Sequence, residues 1–259
     1  MAARQVDTVR EHRRNVLNRE MVLASLRSPL PVYCHDSLPS TNDRAKALAR
    51  QGAAQGTLVL ADAQTKGRGL RGRSFLSPPG GLYMSLILDG RGILPGHLTT
   101  LAAVAVTRAV REASGHTLGI KWVNDLLYQG KKAGGILTEA LAMDGGKMRQ
   151  VIGIGVNTGP SPDSSLFAGL SGPGEAYPRE RLAALIAEQI LDGLAHIPAH
   201  MDDYRALCQT IGLRVSFLYG NENKQGLAVG IGDDGALLVS TEGGLLRLTA
   251  GDVSILAVP

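Results

Sequence analysis

Residues 95–114, PGHLTTLAAVAVTRAVREAS, constrain the fold more than any other stretch. Pro95 suits the first turn of a helix and Gly115 its end. Between them the segment is apolar on nearly every side, and a helix of that kind has to be buried. It therefore needs other elements around it, and strands lie on both sides in sequence. VYCHDSL (32–38), GTLVLADAQ (56–64) and LYMSLIL (82–88) precede it; LGIKWV (118–123), DLLYQGKKAGGILTEAL (125–141) and MRQVIGIGVN (148–157) follow. Gln129-Gly130 and MDGGK mark hairpin turns between the later strands. Amphipathic helices complete the set: REMVLASLRS near the start, STNDRAKALARQG with Ser40 or Thr41 as cap, RERLAALIAEQILDGL, and a shorter MDDYRALCQ.

After Gly212 the texture changes. Short strands alternate with turn signals at GNENKQG, GDDG, EGG and AGD, a rhythm that predicts a small all-β barrel appended to a mixed α/β unit. The expected fold class is α+β: a mixed β-sheet catalytic domain with flanking helices, plus the barrel. The expected divisions are an N-terminal extension at 1–33, the main domain at 34–211 and the barrel at 212–259.

With 44% apolar residues among 259, a sizeable core can form. The net charge of +4 is modest and suits anionic ligands as readily as nucleic acid. Cys34 and Cys208 belong to no metal-spaced or C-x-x-C pair and read as two reduced thiols of a cytosolic protein. The six histidines show no zinc-ligand spacing, so no structural zinc is expected. No run of 18 apolar residues is present, and the first twenty residues lack the apolar core of a secretory signal.

Within KGRGLRGRS (66–74), Gly67, Gly69 and Gly72 spell G-x-G-x-x-G. A dinucleotide turn of that spacing needs a helix directly after it and an acidic residue about 20 positions on. RSFLSPPGGLY follows instead, so that reading fails. Lys66, Arg68, Arg71 and Arg73 are threaded through the loop, and further polar residues stand at strand ends: Lys121, Asn124, Asp125, Lys131, Lys132 and Asn157. Each alone reads as a solvated or turn residue. Together they form polar clusters at several consecutive strand ends, which separate surface roles would each have to explain.

The combination resembles the biotin–protein ligases, also called biotin–[acetyl-CoA-carboxylase] ligases. The resemblance spans about 34 to 257 and rests on seven blocks in order: STN (40–42), QTKGRGLRGRSFLSP (64–78), LYMSL (82–86), KWVNDLL (121–127), KKAGGILTE (131–139), VIGIGVN (151–157), and GALLV with GDVSI in the barrel. It implies that biotin and ATP form biotinyl-5′-adenylate, and that biotin then passes to one lysine of a biotin carboxyl carrier protein. It also implies an SH3-like barrel. Ser40, Thr41, Asn42 and Gln64, with Gly67, Gly69, Leu70 and Gly134, are implied at the biotin end. Arg68 and Lys132 are implied to neutralise the biotin carboxylate and the α-phosphate. Arg71 and Arg73 face the outer phosphates, Lys121 adds charge there, and Phe75 stacks on adenine. Asn124 and Asn157 belong to the ATP side, and Asp125 is the magnesium ligand or the acceptor of the incoming lysine's proton. Arg68, Lys121, Asp125 and Lys132 are the catalytic set.

Two positions depart from the family. Val123 stands where proline is usual, which is expected to loosen the loop bearing Asn124 and Asp125. Leu70 stands where a further arginine is frequent; it either packs over biotin's aliphatic tail or weakens retention of the adenylate. Some family members carry an N-terminal winged helix-turn-helix and repress transcription. Only about thirty-three residues precede the first catalytic strand, too few for three helices and a wing, so no specific DNA binding is expected. An edge strand of the central sheet is able to pair two subunits, and no membrane association is expected. The alternatives left open are a lipoate–protein ligase, a biotin-responsive regulator and a catalytically silent binder. The KGRGLRGRS loop itself reads as a mobile clamp over the ligand.

Overall fold

The computed structural model describes residues 17–90, 93–160, 163–197, 199–220, 222–249, 251 and 253–256. Of the N-terminal extension expected at 1–33, residues 1–16 lie outside the described residues.

Seven strands form one sheet: β1 (Val32–Leu38), β2 (Leu58–Gln64), β3 (Leu82–Asp89), β4 (Gly119–Lys121), β5 (Asp125–Tyr128), β6 (Lys131–Ala142) and β7 (Met148–Val156). Their order is β1-β2-β3-β7-β6-β5-β4. Only β1 and β2 run parallel, joined by the helical crossover that parallel strands require. The remaining neighbours are antiparallel.

The strands alternate sides, and the two faces take different partners. Leu58, Leu60, Leu82, Met84, Leu86, Ile152 and Ile154 join the main core with α1 (Arg19–Ser25), α3 (Pro95–Ser114) and α4 (Arg179–Gly193). α3 buries Leu98, Leu101, Val104, Ala105, Val106, Ala109 and Val110, which covers most of its circumference. The opposite face takes α2 (Thr41–Arg50), whose Ala45, Leu48 and Ala49 pack on Val59, Ile87 and Val151. α2 is shorter than the strands beneath it. The part of this face beyond its N-terminus is left for something else, and the site lies there.

Asp62 points from β2 into the α4 side. Its Oδ1 accepts from Arg179 Nη1 at 2.5 Å, and the same nitrogen donates to Gly81 O at 2.9 Å. Both side chains are at least 95% buried, so the charges are paired because unpaired burial is costly. The pair fixes the start of α4 against β2 and against the arch Pro78–Gly81 that leads into β3.

After α5 (Met201–Leu207) come β8 (Arg214–Tyr219), β9 (Glu222–Ile231), β10 (Leu237–Thr241), β11 (Gly244–Leu248) and β12 (Val253–Ile255). They form an antiparallel sheet in the order β11-β10-β9-β8-β12. Its two edges, β11 and β12, share no ladder among the described residues, so the expected barrel is an open five-stranded version of that architecture. Val215, Phe217, Leu237 and Val239 are buried and continuous with the main core. Trp122 Nε1 donates to Gly235 O at 2.9 Å across the junction.

Replacing Arg179 with alanine leaves Asp62 buried and unpaired. The expected cost is about 3 kcal/mol or more of unfolding free energy, read as a lower denaturant midpoint at unchanged slope. A loss below about 1 kcal/mol would show that the pair does not hold α4.

Candidate active site

A cavity of about 310 Å³ opens on the sheet face beyond α2. Its first wall is the start of that helix. Ser40 caps α2, its side chain accepting from Asp43 N, and Ser40, Thr41 and Asn42 are each 4% exposed. Thr41 N and Oγ1 both donate to Gln64 Oε1, at 2.9 and 3.2 Å, and Gln64 Nε2 donates to Ser77 Oγ at 3.0 Å. Ser85 Oγ lies 2.6 Å from Asn42 Oδ1 and 2.8 Å from Thr41 Oγ1. Asn42 Nδ2 donates to Glu139 Oε2 at 2.7 Å and to Leu137 O at 3.3 Å. The wall is thus a fixed row of hydroxyl and amide groups already ordered by one another.

The floor is glycine. Gly153 and Gly155 alternate on β7, and Gly135 lies opposite Gly155 on β6. A Cβ on Gly153 would overlap the Asn42 amide, and one on Gly155 would overlap the Phe75 ring. Without side chains, the sheet lets Asn42 and Phe75 rest directly on its backbone.

KGRGLRGRS forms the lid, and it is a small hairpin rather than an irregular clamp. Gly69 N donates to Arg73 O at 2.6 Å, Phe75 N to Gly67 O at 2.9 Å, and Arg68 bridges Ser74. The tip turns through Arg71 and Gly72, both with positive φ, 57° and 74°. Arg68, Gly69, Leu70, Arg73 and Phe75 line the cavity. Gly67 does not: it is pressed against Phe75 O and Ser77 Oγ, where no Cβ fits. Arg71 does not either, because the left-handed tip carries it outward, with Nη2 beside Gly251 of the C-terminal sheet.

The third wall lies at strand ends and carries an ion pair. Asn124, Asp125, Lys132, Gly134 and Asn157 line it. Lys132 Nζ stands 2.5 Å from Asp125 Oδ1 and 5.9 Å from the centre of the Phe75 ring. That ring also meets Tyr83 edge-on at 6.4 Å. Phe75 is therefore packed on the floor, with Lys132 over its face where adenine stacking was expected. Asn157 Nδ2 donates to Ala168 O at 3.3 Å and holds the segment that brings Phe167 to the rim. Lys121 is not in the wall. It lies opposite Asp125 in register, but on the edge strand β4, about 4.8 Å further out.

The loop bearing Asn124 and Asp125 is held despite Val123. Trp122 N donates to Thr210 Oγ1, Tyr204 OH to Val123 O, Asn124 Nδ2 to Ile136 O, and Ile136 N to Asn124 O, all within 3.0 Å. These bonds replace the restraint that a proline ring supplies.

Arg68 does not project freely into the cavity. Its Nη2 lies 2.6 Å from Asp43 Oδ1 and 3.3 Å from Glu139 Oε2, and Lys46 Nζ bridges the same two carboxylates at 3.2 and 2.9 Å. Burial pushes both carboxyls up. Hydrogen bonds and charge outweigh it, from Arg68 and Lys46 at Asp43 and from Lys46, Asn42 and Arg68 at Glu139, and hold them below their ordinary 3.8 and 4.5. Among the described residues, no group of three or more His, Cys, Asp or Glu side chains is placed to hold a metal ion. A metal cage made wholly of protein does not fit. One carboxylate, Asp125, suits a magnesium ion that arrives on phosphates.

Residues 34–157 match the biotin/lipoate A/B protein ligase family, and residues 210–256 match the biotin protein ligase C terminal domain. The bifunctional ligase/repressor BirA of Bacillus subtilis is 36% identical over 241 residues, 85% of this chain and 73% of that protein. The chain belongs to the biotin protein ligase family. A second family member, the biotin–[acetyl-CoA-carboxylase] ligase of Paracoccus denitrificans, is 32% identical over 83% of this chain and 96% of its own. The Aquifex aeolicus biotin protein ligase, solved with biotin and ATP, superposes with a TM-score of 0.74 at 25% identity, covering 88% of this chain and 99% of that one.

Several residues of this ligase-family site escaped sequence reasoning: Ser77, Tyr83, Ser85, Glu139, Gly153, Gly155 and Phe167. Three carried a signal. Ser85 is a lone hydroxyl in the apolar strand LYMSLIL, and G-I-G in β7 bares one face of a strand at period two. Gly153→Ala places a methyl against an amide that three bonds hold still. The expected cost is about 1–3 kcal/mol of stability, falling to a few tenths in an Asn42→Ala background. Equal costs in both backgrounds would sink the contact as its cause.

Proposed function

We infer that the chain is an ATP-dependent biotin–protein ligase. One observation carries the reading: a single enclosure combines a row of neutral polar groups at the start of α2, a glycine floor under Phe75, and strand ends that present Lys132 paired to Asp125. Biotin has a neutral ureido ring, an aliphatic tail and a carboxylate in that order. A binding site of this size normally combines a few placed polar groups with an otherwise apolar lining.

In the first half-reaction a biotin carboxylate oxygen bonds to the α-phosphorus of ATP, and the bond to pyrophosphate breaks. In the second, the amine of a carrier lysine attacks the acyl carbon, loses a proton, and AMP leaves. The reactants of the first step are both anionic, so positioning and charge stabilisation dominate the chemistry. Ser40, Thr41, Asn42 and Gln64 are assigned to the ureido end, and Gly69, Leu70 and Gly134 to the tail. Lys132 is the cation assigned to the carboxylate and α-phosphate, which requires it to turn from Asp125 to the ligand. Arg73, Asn124 and Asn157 are assigned to the nucleotide. Asp125 is assigned to magnesium bound on the triphosphate, or to the proton of the incoming lysine. Magnesium, when bound, supplies charge neutralisation at the phosphates. Arg71 and Lys121 stand outside the cavity and serve by field unless the hairpin tip moves. The divisions 34–211 and 212–259 are proposed as the catalytic and C-terminal units.

The acceptor is proposed to be a biotin carboxyl carrier protein of acetyl-CoA carboxylase or a related carboxylase. A cytoplasmic location is proposed with it, supported by the need for such a partner and ATP and by the free thiols Cys34 and Cys208. A homodimer paired through an edge strand is the oligomeric form proposed.

Biotin-dependent exchange of pyrophosphate into ATP tests the reading, with lipoate as control. Exchange with biotin alone is expected; exchange with lipoate only would favour a lipoate ligase, and none with either acid would end the ligase reading. Leu70→Arg adds a cation at the hairpin. Adenylate release from this variant is expected to slow by roughly tenfold, worth one charge-assisted hydrogen bond. Equal release rates would assign Leu70 to packing alone.

A further inference from the structure

Glu139 lies near the end of β6, and its carboxylate meets groups from three directions. Oε2 accepts from Asn42 Nδ2 at 2.7 Å and from Arg68 Nη2 at 3.3 Å, and Oε1 accepts from Lys46 Nζ at 2.9 Å. The side chain is 27% exposed, and that of Lys46 is 17% exposed. Asp43, Glu139, Lys46 and Arg68 together carry two charges of each sign, so the cluster is neutral without a ligand.

Two of these contacts reach the cavity. The Asn42 amide has its Oδ1 engaged by Ser85 and its Nδ2 shared between Leu137 O, at 3.3 Å, and Glu139. The bond to Glu139 is the shorter one and the charge-assisted one, so it dominates the amide's orientation. Arg68 is a hairpin residue bridged to Ser74. Pinning its guanidinium to β6 and α2 fixes the root of the lid while Leu70, Arg71 and Gly72 form the tip. The same carboxylate thus orients the polar wall and anchors the lid across the cavity mouth.

We propose that Glu139 is a positioning residue that sets biotin affinity, by orienting Asn42 and by pinning the hairpin root through Arg68. This rests on the biotin-ligase reading. Glu139 itself does not line the cavity, so it acts through these two residues.

The test uses the full chain with Glu139→Ala and the near-isosteric Glu139→Gln. Four quantities are read: biotin Kd by calorimetry without ATP, KM for ATP in the exchange reaction, tryptic cleavage in the hairpin, and the unfolding midpoint. Glu139→Ala is expected to weaken biotin roughly tenfold or more, as loss of a charged hydrogen-bond acceptor implies, with KM for ATP within about twofold. Glu139→Gln keeps an acceptor for Asn42 but no charge for Arg68. It is expected to recover part of the biotin affinity while its hairpin is cut as fast as in the alanine variant. Biotin affinity unchanged in both variants overturns the proposal. So does a loss shared equally by biotin and ATP, or one that tracks the unfolding midpoint, because a merely structural acid predicts that. If Glu139→Ala does not fold, the split between affinity and cleavage in Glu139→Gln decides alone. Failure of the wild-type protein to bind biotin overturns the ligase reading instead, a distinct result.

Discussion

The site depends on one face of β7 having no side chains. A sheet of this kind normally fills both faces, and here the α2 face of β7 is filled at Val151 but bare at Gly153 and Gly155. The missing side chains make room for Asn42 and Phe75, and so set the depth of everything above them. Asn42 and Phe75 touch backbone, so the helix start that carries Asn42 and the hairpin that ends in Phe75 both come one side-chain layer closer to the sheet. The polar wall and the lid face each other across a narrow gap because the floor is low. Any side chain on those glycines would lift one of them.

The electrostatics follow from the same enclosure. Lys132 and Arg68 are partly withdrawn from water, and each is matched to carboxylate: Lys132 to Asp125, Arg68 to Asp43 and Glu139. Unmatched cations there would pay desolvation without return. The consequence for chemistry is an exchange. In the proposed reaction an entering carboxylate or phosphate would meet no bare positive charge and would have to take the place of a protein carboxylate. Such a site discriminates by geometry, since only an anion that reaches Lys132 better than Asp125 does is held. The asymmetry between the two cations matters. Lys132 has one carboxylate partner at a strand end, whereas Arg68 has two partners on separate elements. Lys132 is accordingly the cation that can turn toward a ligand, and Arg68 the one that holds the lid.

Much of the framework was legible in the sequence because it rests on local rules. The all-apolar circumference of 95–114, the cap at Ser40 and the turn at Gln129-Gly130 each specify local geometry within a few residues, and the elements lie where those rules put them. The C-terminal change of rhythm likewise marks the turns at GDDG and EGG, but not the turn expected at GNENKQG (220–226): β9 starts at Glu222 and runs through it to Ile231, because Glu222, Asn223, Lys224 and Gln225 pair with β8. Closure of the C-terminal strands was not legible, since it depends on pairing between chain-distant edges. The site was legible in part. Residues grouped by strand ends converge, because antiparallel neighbours bring their ends together. Lys121 and Arg71 lie outside the cavity for opposite reasons: one is a strand further out, and the other sits where left-handed backbone reverses its direction. Glu139 was hidden because its meaning is its partners, and Arg68 lies 71 residues away in sequence.

The C-terminal sheet belongs to the same mechanical unit. Its buried Val215, Phe217, Leu237 and Val239 extend the main core, and Gly235 receives the indole N–H of Trp122. Trp122 is two residues from Asn124 and three from Asp125. The hydrogen bonds that restrain this loop come from α5, from the segment before β8, and from β6. The loop that carries Asp125, the partner of Lys132, is thus tied to the C-terminal sheet through Trp122. Gly251, in the connection between β11 and β12, lies beside Arg71 of the hairpin. Both the ion-paired wall and the tip of the lid thus take part of their position from a domain that contributes no side chain to the cavity.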